Sequence, residues 1–107
     1  MRRKAKVRRR RKLRPAWVMA AALMGCGPTL YTVHILPASR AVEQAEENGA
    51  AEHAPYEYHY ARAHLDKARE EAAEASYQDA LHHAKVAEEY GVKARDLARR
   101  RLREAGR

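Results

Sequence analysis

Apolar positions repeat at helical spacing through most of the second half of the chain. Tyr58, Ala61, Leu65, Ala68, Ala72 and Ala75 recur at steps of 3, 4, 3, 4 and 3, with mostly charged residues between them. Tyr77, Ala80, Ala84, Ala87, Gly91, Ala94 and Ala98 repeat the pattern, and Leu81, Tyr90, Leu97 and Leu102 widen it. Both series trace one face of a helix, so they predict long helices over residues 55–75 and 77–104. Pro55 suits a first helical turn, where a missing N–H costs nothing, and Ser76 marks the turn between the two. Helices joined by so short a break fold back antiparallel, and alanine seams let their axes approach closely, with Gly91 at the crossing.

Upstream the pattern is weaker. Ala41, Val42 and Ala45 make a short stripe within a predicted helix over 38–49, with Pro37 in its first turn and Ser39 as N-cap. Asn48-Gly49 is its stop, because glycine accepts the left-handed conformation that ends helices. Residues 26–37 hold β-branched residues and two prolines without a helical stripe, and are expected to be a tether. The fold class is therefore all-α: a short helix, then a long antiparallel alanine-rich hairpin. Between residues 38 and 107 the large aliphatics are only Val42, Leu65, Leu81, Val86, Val92, Leu97 and Leu102. Ordering costs about 1.5 kcal/mol per residue against ~1.5–3 kcal/mol for a fully buried large side chain. Such a monomer is expected to be marginal, and self-association would help it.

The first 25 residues differ from all of this. Ten of the 22 Lys and Arg residues fall within residues 2–14, with no acidic residue among them. A nine-residue apolar segment, 16–24, and then Gly25-Cys26 follow. A positive start, a short apolar core and a small residue at the boundary are the layout of a secretory signal, and nine residues are too few to span a bilayer. Leu23-Met24-Gly25-Cys26 resembles the bacterial lipobox, in which the cysteine becomes the first mature residue and carries acyl chains; Met24 departs from the small residues usual there. Cleavage between Gly25 and Cys26 would remove residues 1–25. It would also explain the single cysteine, which can form no internal disulfide. Two or three acyl chains hold a protein on a membrane durably.

That boundary changes the charge argument. The formal net charge of the whole chain is +8, but from Cys26 onward twelve basic and fourteen acidic residues give −2. A nucleic-acid partner is therefore not expected. Residues 38–92 sum to −7 and residues 93–107 to +5. The basic end holds Arg99, Arg100, Arg101 and Arg103, a candidate anion contact, although cations at a helix C-terminus are also favoured by the helix dipole.

Candidate chemistry elsewhere is sparse. His59 and His64 are five apart and His82 and His83 adjacent, so no pair has the spacing of a helical zinc site. His64 and His82 are the pair able to approach across the hairpin. Tyr56, Tyr58, Tyr60, Tyr77 and Tyr90 either line a groove or pack at the hairpin margin, and one of the first three has to be exposed. Glu70, Glu71 and Glu74 read as a solvated face. Pairs at i,i+4, Glu89 with Lys93 and Asp96 with Arg100, support helicity. Nothing suggests catalytic residues, a cofactor or a bound metal.

Ala54-Pro55-Tyr56-Glu57, the Ala61/Leu65/Ala68 ladder, and Ala75-Ser76-Tyr77-Gln78-Asp79-Ala80 leading into Ala84 and Ala87 resemble the domain-of-unknown-function 4398 family of bacterial lipoproteins. The segment from Ser76 to Leu81 with Ala84 and Ala87 is also similar to the turn and second helix of a tetratricopeptide repeat. The family resemblance implies an envelope-bound helical hairpin near peptidoglycan-binding outer-membrane proteins, with no catalytic residues to carry over. Together these readings lead to a non-catalytic interaction or scaffold module, anchored through Cys26 to the outer membrane and facing the periplasm. Its expected partner is an envelope or peptidoglycan-associated protein. The alternative is a small ligand- or metal-binding lipoprotein using Tyr and His of the hairpin groove.

Overall fold

The computed structural model describes residues 26–107, which fold into four helices: α1 (Cys26–Glu47), α2 (Ala50–His53), α3 (Pro55–Ala73) and α4 (Tyr77–Ala105). No strand occurs among the described residues, and the protein is all-α. The predicted signal segment, including Gly25, lies outside them.

The expected tether is helical. Residues 26–37 form the first half of α1, and the short helix expected at 38–49 is its second half. Pro37 lies inside the helix rather than in its first turn. It removes one N–H, so the Val33 carbonyl loses its usual i+4 donor. Packing offsets that loss. Tyr31, Ile35, Ala38, Val42 and Ala45 are spaced by 4, 3, 4 and 3 and face the core, the first two half-buried and the rest buried. Ser39 is consequently no N-cap; its hydroxyl accepts a bond from Arg69 Nη2 of α3 at 3.3 Å.

α4 is the centre of the bundle, with α1 and α3 each packed along it and making less contact with each other. α3 and α4 are antiparallel, as expected: Tyr60 meets Tyr90 and His64 meets His83. α1 runs parallel to α4. Tyr31 lies by Tyr77, Ala41 by Gly91, Gln44 by Arg95 and Asn48 by Arg99. Gly91 is thus the crossing point with α1, not with α3 as the hairpin alone suggested. The protein is an up-down-up three-helix unit, with α2 as a single turn in the first connection.

Both turns follow from backbone chemistry. α1 ends at Gly49, which adopts φ 74° and donates its N–H to the Glu46 carbonyl at 2.9 Å. α3 ends in a Schellman motif, with Ser76 N–H bonded to Glu71 O at 2.8 Å and Ala75 N–H to Ala72 O at 3.0 Å. The left-handed residue there is Ala75, at φ 64°. Pro55 opens α3, and Ser76 is the N-cap residue of α4, although its side chain makes no capping bond.

Among the described residues, twelve of the fifteen buried hydrophobic ones are alanine, and the others are Val42, Tyr58 and Leu65. No polar or charged residue is buried among them. Gly91 and the alanines predicted for α4, from Ala80 to Ala98, are all buried. The predicted stripes fail only at their ends: Ala75 is exposed in the turn and Leu102 is 43% exposed, one turn beyond the last buried residue, Ala98.

Candidate functional site

The basic end lies at the far end of the bundle from Cys26, because α1 and α4 are parallel. Cys26 is level with the start of α4. Arg99 is roughly two dozen residues further on, about 35 Å at 1.5 Å per residue. The four candidate arginines do not act alike. Arg99 Nε donates to Asn48 Oδ1 of the α1 terminus at 2.9 Å. Arg101 Nη1 donates to the His53 carbonyl of α2. Both therefore fasten the end of α4 to the first connection. Arg100 instead borders a shallow open groove with Glu57, Lys93, Asp96 and Leu97. Arg103 is exposed, one turn from the end of α4.

Arg95, which the sequence did not single out, belongs to the same array. Its Nε contacts Asp96 at 2.9 Å and its Nη1 donates to Gln44 Oε1 at 2.9 Å. Asp96 is paired with this neighbour rather than with Arg100, whereas the expected Glu89–Lys93 pair forms at 2.8 Å. Arg95 and Arg99, four apart, reach Gln44 and Asn48, also four apart. Parallel helices in register make that match, and the sequence shows it only once α1 is recognised as helical to its end.

The second cluster lies along the α3–α4 seam. Tyr60 is stacked over Tyr56 at 5.8 Å and packs on Tyr90 at 4.4 Å and His64 at 4.5 Å. Lys93 Nζ sits over the Tyr90 ring at 4.5 Å. Tyr58 points the other way into the core, 2% exposed, and its hydroxyl accepts from Arg62 at 3.0 Å. Tyr56 is the exposed one of the three, at 66%. Tyr77 is separate, beside Tyr31 at the Cys26 end. These rings fill the hairpin margin.

His64 pairs with His83, not His82: their Nδ1 atoms are 2.8 Å apart, so one donates and the other accepts. His82 and His83 diverge from adjacent positions, and it is His83 that turns toward α3. Burial, followed by the nearby His83 and His82 charges, lowers the His64 pKa below 6.5. No group of three or more metal-ligating side chains occurs among the described residues. Glu71 is not part of a wholly solvated face. It is half-buried, and Lys67 Nζ at 3.0 Å holds its carboxyl below the usual range.

A third feature escaped the sequence reading because it falls within the supposed tether. Leu30, Val33 and Leu36 of α1 are 49%, 58% and 56% exposed.

A family model described as "Domain of unknown function (DUF4398)" matches residues 35–107. The chain belongs to this family. The match begins at Ile35, inside α1, so the DUF4398 region takes in the buried alanines of that helix as well as the hairpin. No curated protein and no solved structure matches the chain. Among the described residues, no helix is long and apolar enough to cross a membrane.

Proposed function

We propose that this DUF4398 protein is a lipid-anchored module of the bacterial envelope that holds an anionic partner away from the membrane and performs no catalysis. The observation that carries the reading is the parallel course of α1 and α4. The lipobox-like Leu23-Met24-Gly25-Cys26 leads directly into α1, and the helix beside α1 carries the arginines to the opposite end. A chain acylated at Cys26 presents Arg100 and Arg103 about 35 Å along the bundle. At 0.1 M salt, charge is screened over ~10 Å, so headgroups of the anchoring membrane are out of reach. Peptidoglycan carboxylates or an acidic face of an envelope protein fit better, with the anchor in the outer membrane facing the periplasm. The alanine-packed bundle with its tetratricopeptide-like turn at Ser76 serves as a spacer and scaffold.

Detergent partition in the native host tests the anchor. The protein should enter the detergent phase, and Cys26→Ala should leave an unlipidated precursor. Partition of the unaltered protein into the aqueous phase would refute the anchor.

One observation favours a second reading, a small ligand- or metal-binding lipoprotein: the His64–His83 contact at 2.8 Å beside Tyr60. That hydrogen bond already satisfies both Nδ1 atoms, so a metal would have to part the pair. Zinc titration that shifts the unfolding temperature of the parent but not of His64→Gln would favour it.

A further inference from the structure

The outward face of α1 at its Cys26 end carries a run of exposed large apolar side chains. Five large hydrophobic residues are exposed among the described residues, and Leu30, Val33 and Leu36 are three of them. The opposite face of the same turns is occupied, with Tyr31 and Ile35 packed on the core. Leu30, Val33 and Leu36 are therefore surplus to the bundle.

Charge marks the same region. The protein is 34% charged overall, yet residues 26–39 contain no Asp, Glu, Lys or Arg, and Arg40 is the first. Thr32 and Pro28 lie on this face, and the Thr32 hydroxyl donates to the Pro28 carbonyl at 2.8 Å, so it needs no water. Arg40 closes the face, where a long cationic side chain can reach headgroup phosphates while its stem lies along apolar neighbours. This face begins just after Cys26, so the chain enters it from a membrane-seeking group in either state: from the acyl chains if Cys26 is cleaved and acylated, and from the apolar segment 16–24 if it is not.

We infer that Leu30, Val33 and Leu36 of α1 rest in the lipid interface of the membrane, making the first turns of the bundle a second membrane contact beyond the acyl chains. A second copy of the chain fits less well. Three half-exposed side chains offer roughly a few hundred Å² of patch, whereas a stable protein interface takes about 800 Å² from each partner. The contact rests on the anchoring reading for bringing α1 to the membrane. It also fixes the attitude of the bundle at the membrane rather than leaving it on a free swivel.

Photocrosslinking of the full chain in its native envelope tests this. A benzophenone-bearing residue is placed at position 33, or at position 103 as the distal control, both exposed in the fold. Helicity is checked by circular dichroism, and the mass of the Cys26 end is read on the same samples. The expected result is a phospholipid adduct at 33 and none at 103. A protein adduct at 33, a dimer of this chain, or no adduct because only water lies there would each overturn the contact. The two readings fail separately. An acylated Cys26 without lipid adducts at 33 sinks the contact alone, and an unmodified Cys26 with lipid adducts at 33 sinks the acyl anchor alone.

Discussion

Gly91 of α4 lies so close to Ala41 of α1 that a Cβ on Gly91 would sit 2.8 Å from the Ala41 Cβ and 2.9 Å from its carbonyl carbon. The second neighbour is backbone, which no rotamer change can move aside. Gly91→Ala should therefore destabilise the fold, because overpacking costs ~1–3 kcal/mol and the gain in helix propensity returns about 1 kcal/mol. Thermal unfolding followed by circular dichroism should show a lower Tm. A higher Tm would mean that α1 is not seated on α4 at this point.

Ala75 points in the other direction. A non-glycine residue in the left-handed region costs roughly 1–2 kcal/mol, and glycine gives back about 0.5–1 kcal/mol through the entropy of the unfolded chain. Ala75→Gly should stabilise the protein by about 0.5–1 kcal/mol, measured by denaturant titration. A loss of stability would contradict the Schellman turn between α3 and α4.

Stability should fall with acidification below neutrality. Burial and the neighbouring imidazoles lower the His64 pKa in the fold from 6.5, so over the window just below 6.5 the unfolded chain takes up a proton that the folded one refuses. The unfolded state binds more protons there, and stability rises with pH until about 6.5, then levels. Glu71, held low by Lys67, acts in the same direction but only near and below 4.5. Denaturation midpoints between pH 5 and 8 should rise for the parent protein and flatten in His64→Gln. An equal slope in both would remove His64 from the account.

The arginines should separate into two classes. Arg99→Gln and Arg101→Gln remove bonds that tie α4 to Asn48 and His53, and each should cost roughly 0.5 kcal/mol, the low end for a hydrogen bond at an exposed site. Arg100→Gln with Arg103→Gln should leave the Tm unchanged and weaken salt-sensitive retention, on envelope fractions, of a soluble Cys26→Ala form exported with a swapped, cleavable signal. Unchanged retention at low salt would reduce the basic end to a helix terminus.

The sequence carried the hairpin because its evidence is local. Pro55, Ser76 and Gly49 act within one turn of themselves, and the Ala80 to Ala98 ladder lies on one uninterrupted helix. α1 was hidden for a definite reason. Pro37 interrupts the stripe of Tyr31, Ile35, Ala38, Val42 and Ala45, and the β-branched residues around it lower local helix propensity. Burial against α4 overrides both. The choice of His83 over His82, and the pairing of Arg95 and Arg99 with Gln44 and Asn48, depend on the register between helices, which no spacing within one helix reveals. Placing the basic end far from Cys26 required the same register.

Anchoring through Cys26 is the claim on which the rest of the functional account depends. Intact mass spectrometry of the protein from its native envelope tests it most directly. The account predicts a chain that begins at Cys26, lacks residues 1–25, and is heavier than its polypeptide by acyl groups. A retained N-terminal segment with an unmodified Cys26 thiol would contradict it.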